Sequence, residues 1–399
     1  MRMAEALVRE DDKDRLKSIN TNAYVWGEGF QVDPSQDYSN FTPKKIQQFK
    51  GKDKPNVIDI AFGWYHEAYI DQQGRLYVCA KAKLTSIEVE DIRDGDRADL
   101  FEVHNLPRGT KVKQVAFTQS RMFVLSEKGE VFLYKIQEHL PKREEVELFG
   151  SRAGGQIRGE LMINNDPIKI KDIGVIKQIA CGLDHILFLD KNGELLAMGD
   201  DTFGQCGAGG EGRATTAPFF EARHRTPMKV VMPRDSKGKP QPVKKVVCGF
   251  RHSLAITENG KLYGWGYNNQ QQLSHAQEYA DEASPMHAIF APQRIAGPLE
   301  ELFVVDAAAG EEMSAVVAQG KKAGIIFEQV YACGNNLKGS LGINRTSHLQ
   351  DLTLVPDLSD LFDEADRPLM INHLQCGRRH CVASFDYGAF VFWGDNQVG

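Results

Sequence analysis

Histidine and cysteine recur at fixed spacings in this chain, and both residue types can act in acid–base catalysis or bind metal ions. A histidine follows a glycine by three positions in four pairs, which are Gly63 and His66, Gly182 and His185, Gly249 and His252, and Gly377 and His380. Cysteine precedes the glycine at Cys181, Cys248 and Cys376. Two further copies of the surrounding pattern place Arg121 and Met313 at the histidine position, which a catalytic or metal-binding array would not tolerate.

These histidines and cysteines are therefore interpreted as structural residues, one set for each repeat. A zinc ion needs four ligands within about 2.3 Å of one point, and equivalent positions of successive repeats are too far apart to supply them. We expect each imidazole to bond a backbone group and lock its own hairpin. The cysteines are expected to be small core residues, and no metal ion is predicted.

A glycine-rich segment, Gly207–Gly212, satisfies the G-x-G-x-x-G spacing of dinucleotide-binding loops. Such a loop must open a helix within a βαβ unit, whereas the following residues contain two prolines and no helical period. The segment is interpreted as a flexible loop. Because no phosphate-binding or nucleophile motif occurs elsewhere, the sequence predicts neither a cofactor nor enzyme chemistry.

The histidines belong to a pattern that the chain repeats six times, with copies beginning at Val57, Val112, Ile176, Val243, Phe303 and Ile371. Each copy alternates apolar and polar residues with a period of two, and short glycine-containing turns separate the runs, which indicates hairpin-connected strands. A fourth short strand, announced by Pro43, Pro227 or Pro292, precedes several copies. Four strands per repeat predict an all-β fold, a β-propeller of four-stranded blades.

The blade count is predicted to be that of a seven-bladed propeller, of which six full repeats are visible. Residues 23–27 match the third run of a repeat without the first two, so they form an orphan N-terminal strand. Closure then requires either a further C-terminal segment or a partner, and we favour the segment. Residues 1–22 are predicted to be an extension and 23–399 one propeller, with insert loops at 83–109, 135–174, 207–226 and 274–291.

The repeat resembles the regulator of chromosome condensation repeat family. The resemblance rests on V-x-x-V-x-x-G-x-x-H and the runs that follow it, seen at Cys181–His185, Tyr263–Asn268 and Phe203–Gly207. The family's founding member is a guanine-nucleotide exchanger for a small nuclear GTPase and has a protruding β-wedge between its second and third repeats. Lys135–Gly174 occupies the equivalent position between the second and third repeats, but its residues do not match those of the wedge. The interrupting inserts also resemble the family's mitochondrial branch, which is implicated in complex assembly.

The turns between glycine and histidine are candidate partner-binding positions, because such turns emerge on one face of a propeller. Their residues include an exposed aromatic anchor and charged side chains, namely Trp64, Tyr65, Asp184, Arg251, Glu311, Glu312, Arg378 and Arg379. The insert adds Arg152, Arg158 and Glu160. The alternative interpretation of these turns is a solvated rim with weak ion pairs.

The overall composition limits the classes of partner that the chain is expected to bind. The net charge of −6, with scattered basic residues, argues against nucleic-acid binding by the chain itself, and no apolar run is long enough to span a membrane. Seven cysteines without framework spacing predict a reducing compartment, either the mitochondrion or the cytoplasm. The function expected from the sequence is a non-enzymatic scaffold or assembly subunit in a larger complex. The alternative is a guanine-nucleotide exchange factor or another regulator of a small GTPase.

Overall fold

The computed structural model describes residues 24–25, 44–45, 56–63, 66–80, 100–139, 160–163, 166–209, 223–274, 288–322, 324–343, 349–358, 370–385 and 390–395. The chain divides into two compact units, essentially residues 14–170 and 171–399. Nearly all described regular structure is antiparallel β-sheet, with two short 3-10 turns at Gly297–Leu299 and Pro356–Leu358.

The unit of residues 14–170 contains the first two repeats. Its strands are β1 (Tyr24–Val25), β2 (Lys44–Lys45), β3 (Val57–Phe62), β4 (His66–Asp71), β5 (Leu76–Ala80), β6 (Leu100–Glu102), β7 (Val112–Phe117), β8 (Arg121–Ser126), β9 (Val131–His139), β10 (Glu160–Ile163) and β11 (Ile168–Lys169). The first sheet has the order β3-β4-β5-β6, and the second has the order β7-β8-β9, with both β10 and β11 paired to β9.

The unit of residues 171–399 contains the other four repeats. Its strands are β12 (Ile176–Cys181), β13 (His185–Asp190), β14 (Leu195–Asp200), β15 (Arg223–Val230), β16 (Val243–Cys248), β17 (His252–Thr257), β18 (Leu262–Tyr267), β19 (Ala288–Ile295), β20 (Phe303–Ala309), β21 (Met313–Lys322), β22 (Ile325–Asn335), β23 (Leu349–Leu354), β24 (Ile371–Cys376), β25 (His380–Phe385) and β26 (Phe390–Gly394). They form four sheets in chain order, each a meander.

Every repeat thus forms one blade, and the predicted all-β propeller fold with four-stranded blades is confirmed. The predicted count of seven blades is wrong for the described residues, which form six. Among the described residues, the orphan strand Tyr24–Val25 pairs with Lys44–Lys45 in a two-stranded sheet. The physical reason is that each blade needs a complete first-to-third run, and the chain contains six such runs.

Blades three and four, and blades four and five, are joined where the second turn of one blade meets the first strand of the next. The N–H of Val243 donates to the carbonyl of Gly193 over 3.0 Å, and the N–H of Val304 donates to the carbonyl of Gly260 over 2.9 Å. The middle strands are almost fully buried, because both faces of each blade pack on neighbours. Trp265, at 0% exposure, lies in the core shared by blades three to five.

The cysteines follow two patterns. Burial raises the pKa of the Cys181 and Cys248 thiols, which keeps them protonated and consistent with core residues. Cys376, by contrast, forms a disulfide with Cys381, the residue directly opposite on the neighbouring strand. The sequence did not indicate this pairing.

Candidate functional site

The turns between first and second strands form a continuous surface in the unit of residues 171–399. The backbone N–H of Leu183 donates to the carbonyl of Phe250 over 2.9 Å, and the N–H of Phe250 donates to Gly310 over 3.2 Å. The N–H of Glu311 donates to the carbonyl of Arg378 over 2.9 Å. Each turn is therefore fixed by the next, and we call this set of turns, residues 183–184, 250–251, 311–312 and 378–379, the turn face.

Two of the repeated histidines, His185 and His252, lie at the turn face and connect neighbouring blades. His185 Nε2 lies 3.0 Å from the hydroxyl of Ser253, which donates to the carbonyl of Gln205 over 2.8 Å. Because the hydroxyl proton goes to that carbonyl, the serine oxygen accepts from the imidazole, and the proton is assigned to Nε2. His252 repeats the arrangement with Ser314, again at 3.0 Å.

At His185 the described partner is a side chain instead of the predicted backbone group, whereas at His252 a backbone hydrogen bond with Met313 also acts on the ring. The described partner is a serine hydroxyl of the next blade, 68 residues from His185 and 62 from His252. Burial lowers the pKa of both imidazoles to about 3, so they are neutral at ordinary pH. Burial also lowers the pKa of His380. For His66 the structure describes only the start of its strand.

The glycine three positions earlier is required because the imidazole occupies the space of a side chain. A Cβ on Gly182 would lie 2.2 Å from His185 Cε1, and one on Gly249 would lie 2.1 Å from His252 Cε1. At Gly377 the conflicting atom is His380 Nε2, at 2.4 Å. Gly63 is limited by Phe117 instead, at 2.9 Å.

The centre of the turn face is an ion-pair cluster around Glu311. Arg378 makes two bonds to its carboxylate, Nε to Oε2 at 2.6 Å and Nη2 to Oε1 at 2.9 Å. Arg379 Nε also contacts Oε2, at 3.3 Å, while Glu312 accepts from the amide of Asn335 at 3.0 Å. The carboxylate of Glu311 is shared by two guanidinium groups whose side chains are 46% and 48% exposed, and with Glu312 beside them the formal charges of the cluster balance.

Aromatic rings lie beside the arginines of this face. The Arg378 guanidinium carbon lies 6.0 Å from the centre of the Phe250 ring, and that of Arg251 lies 5.0 Å from the Phe203 ring. Phe203 in turn meets Tyr267 edge-on, with ring centres 4.9 Å apart. Arginines held over rings are pre-oriented, which lowers the entropy cost of binding a partner.

Sequence reasoning missed Phe203 and Tyr267. Tyr267 is the last residue of the third strand β18, and Phe203 follows the third strand β14. The end of a third strand meets the first turn because neighbouring strands run antiparallel. That geometry could have indicated them. A pocket of about 90 Å³ beside Glu311 is lined further by Leu337, Lys338 and Ser340, from the loop after the third strand of blade five.

The remaining predicted partner-binding residues lie partly outside the described residues. Trp64, Tyr65, Arg152 and Arg158 lie outside the described residues. Asp184 lies half-buried in its turn, where its carbonyl accepts from the N–H of Asp200 at 2.9 Å. Most of the insert loops at 83–109, 135–174, 207–226 and 274–291 is likewise outside the described residues.

The insert between the second and third repeats contains a strand pair. The strand Glu160–Ile163 lies in this insert and pairs with Ile136–His139, the extended end of β9. Strand β9 has nine residues, whereas its counterparts β14 and β18 have six. A β-ribbon therefore extends the second blade within the insert between the second and third repeats.

The part of the chain that the structure describes holds no group of three or more metal-ligating side chains. It also contains no helix with the length and hydropathy needed to cross a bilayer.

Six repeated blades, four of which carry a Gly-x-x-His turn, define a repeat-built β-propeller. More specifically, the chain belongs to the RCC1-like domain family, which matches residues 22–399. The resemblance inferred from the motifs is thereby confirmed.

Known relatives span most of the chain. The guanine nucleotide exchange factor SRM1 of Saccharomyces cerevisiae is 24% identical over 431 residues, which cover 98% of this chain and 81% of SRM1. The crystal structure of human WBSCR16 has a TM-score of 0.64 at 20% identity and covers 94% of this chain and 88% of that one. Prp20p from Saccharomyces cerevisiae, studied for binding to Gsp1p and histones, has a TM-score of 0.63 at 20% identity, covering 98% and 85%. These structural likenesses establish the fold.

Proposed function

We propose that the chain is a guanine-nucleotide exchange factor for a small GTPase. The observation that carries this proposal is its relation to SRM1, which extends over 98% of this chain and 81% of the relative. A relation of this extent includes almost every blade of the propeller. The scaffold function, favoured on sequence alone, has no comparable support and stays a prediction.

The proposed activity requires binding rather than covalent chemistry. An exchange factor accelerates nucleotide release when it binds the nucleotide-free GTPase more tightly than the nucleotide-bound form. Binding of the exchange factor then lowers the affinity of the GTPase for its nucleotide, because the two are coupled unfavourably. A rigid surface with fixed charges suits this task, since its groups need no reordering on contact. The turn face has these properties, with its backbone-linked turns and the Glu311 ion-pair cluster.

The β-ribbon of β9 and β10 is the second element that supports the proposal. It projects from an otherwise regular blade through the extended strand Val131–His139, and a projecting ribbon can reach into a cleft that a flat face cannot enter. We propose that the ribbon and the insert that it carries contact the GTPase.

The test is release of fluorescent GDP from Saccharomyces cerevisiae Gsp1 in the presence of excess GTP. The intact chain should accelerate release, and a variant with residues 140–159 replaced by a Gly-Ser linker should lose most of the acceleration while keeping its β circular dichroism. The double variant Lys237→Ala with Lys239→Ala, at an exposed turn, serves as the control and should exchange normally. An intact chain that binds Gsp1 without changing the release rate would contradict the proposal and favour the scaffold.

A further inference from the structure

The hairpin of β21 and β22 is much longer than the equivalent hairpins of the other blades. Strands Met313–Lys322 and Ile325–Asn335 have ten and eleven residues, whereas β13 and β17 have six each. The pairing continues without a register shift from Met313 and Gly334 to Lys322 and Ile325. Four residue pairs beyond Ala318 and Gln329 add about 14 Å of ribbon at 3.4 Å per residue.

The tip of this hairpin differs chemically from the other second turns. Those turns are polar and contain Gln72 and Gln73, Glu127 and Lys128, Lys191 and Asn192, or Glu258 and Asn259. Here the outermost paired residues are two lysines and two isoleucines, and the isoleucine side chains are 52% and 50% exposed. No carboxylate occurs between Met313 and Phe327. Exposed β-branched apolar residues at a projecting tip are unfavourable in water and indicate a contact.

Both faces of the ribbon carry the same chemistry. Lys322 is paired with Ile325, and Lys321 with Ile326; because successive residues of a strand point to opposite faces, each face has one lysine and one isoleucine. A folded protein surface usually contacts one face of a hairpin. At the headgroup–acyl boundary of a bilayer, lipid surrounds both faces of an inserted hairpin. A tip that is cationic and apolar on both faces suits that environment.

The base of the hairpin is fixed, so its direction is set by the fold. Gln319 donates to Glu328 over 2.8 Å, and the buried Glu328 carboxylate accepts from the backbone of Ile371 over 2.5 Å. The ring of Phe327 covers Gly320, where a Cβ would lie 2.2 Å from the ring. The tip therefore projects from a rigid base, which reduces the entropy lost on docking.

We propose that the β21–β22 hairpin is a docking element for membrane surfaces that contain anionic lipid. Ile325 and Ile326 enter the boundary between headgroups and acyl chains, while Lys321 and Lys322 bury their alkyl stems and bond the lipid phosphates. The chain's net charge of −6 does not prevent this, because interactions beyond about 8 Å are screened at physiological salt. The proposal does not depend on nucleotide exchange.

Vesicle sedimentation with the full chain tests the proposal. The chain should sediment with phosphatidylcholine vesicles that contain phosphatidylserine, and poorly with phosphatidylcholine alone. Lys321→Ala with Lys322→Ala should lower partitioning about 25-fold, because each lysine near an anionic surface contributes roughly fivefold. Ile325→Ser with Ile326→Ser should lower it at least as much, whereas Val231→Ser, which changes a side chain 73% exposed elsewhere, should leave it unchanged.

A second variant reports insertion directly. Ile325→Trp should show a blue-shifted indole emission when phosphatidylserine vesicles are added, and circular dichroism of each variant controls for folding. If the intact chain stays unbound at both lipid compositions, or if either double variant binds as well as the intact chain, the membrane proposal is overturned. The exposed tip would then be a contact for a protein.

Discussion

The carboxylate of Glu328 accepts a hydrogen bond from the backbone N–H of Ile371 over 2.5 Å and thereby joins blade five to blade six. At the junctions of blades three with four and four with five, the acceptor is a turn-glycine carbonyl, Gly193 or Gly260. The long hairpin of blade five moves its turn away from this junction. A buried side chain takes over the role of the missing carbonyl.

The first prediction concerns that junction. Glu328→Ala should lower the free energy of unfolding by about 1–3 kcal/mol, because the Ile371 N–H remains buried without its acceptor. Glu328→Gln keeps a carbonyl oxygen and should cost less. Urea denaturation measures both, with Glu300→Ala as the control: Glu300 is 53% exposed and pairs with Arg294 at the surface. Equal losses of unfolding free energy in Glu328→Ala and Glu300→Ala would show that the buried bond at the junction stabilises the fold no more than an exposed ion pair does.

The second prediction concerns pH. Burial lowers the pKa of His185 and His252 to about 3, whereas an unfolded histidine titrates near 6.5. The unfolded state therefore binds more protons between these values, so the stabilisation is complete above about pH 6.5 and is lost as the pH falls towards 3. Each histidine should contribute up to about 1.4 kcal/mol per pH unit in that window.

The double variant His185→Gln with His252→Gln provides the comparison. Glutamine can still donate to the serine hydroxyls but binds no proton in this range. Denaturant titrations from pH 7 to pH 4 should therefore show a flatter loss of stability in the double variant. Parallel slopes for the two proteins would mean that other groups cause the acid sensitivity.

The third prediction concerns the glycines that make room for the imidazoles. Gly182→Ala places a Cβ 2.2 Å from His185 Cε1 and 2.5 Å from the carbonyl of Gly249, so the imidazole must move. The expected cost is about 1–3 kcal/mol, together with a flatter pH dependence as His185 becomes solvated. Gly238→Ala is the contrasting variant, because a Cβ on Gly238 would have no other atom within 4 Å, while its backbone φ is +72°. It should lose stability through backbone strain alone and keep the pH slope.

The sequence predicted the blades because their period of two is local and each copy repeats it. It did not predict the His185–Ser253 contact, since the two residues are 68 positions apart and nothing local marks the serine as a partner. The tip Lys321–Ile326 was missed for a related reason: it is an insertion, and alignment of the repeats passes over residues without counterparts. The seventh blade was expected from one orphan run, but in the part of the chain that the structure describes Tyr24–Val25 pairs with Lys44–Lys45 and six blades are formed.

The last prediction separates the stabilising role of the turn face from its role in binding. Arg378 is 46% exposed, so its pair with Glu311 should stabilise the fold by no more than about 1 kcal/mol, and Arg378→Ala should change unfolding little. If the turn face binds the GTPase, the same variant should slow GDP release from Gsp1 at limiting chain concentration by at least about fivefold, since truncation of an arginine anchor typically costs more than 1 kcal/mol. Arg294→Ala is the matched control, because this arginine forms a similarly exposed pair with Glu300 at the opposite end of blade four. Equal exchange rates for Arg378→Ala and Arg294→Ala would remove the turn face from the binding surface and leave the β9–β10 ribbon as the remaining contact.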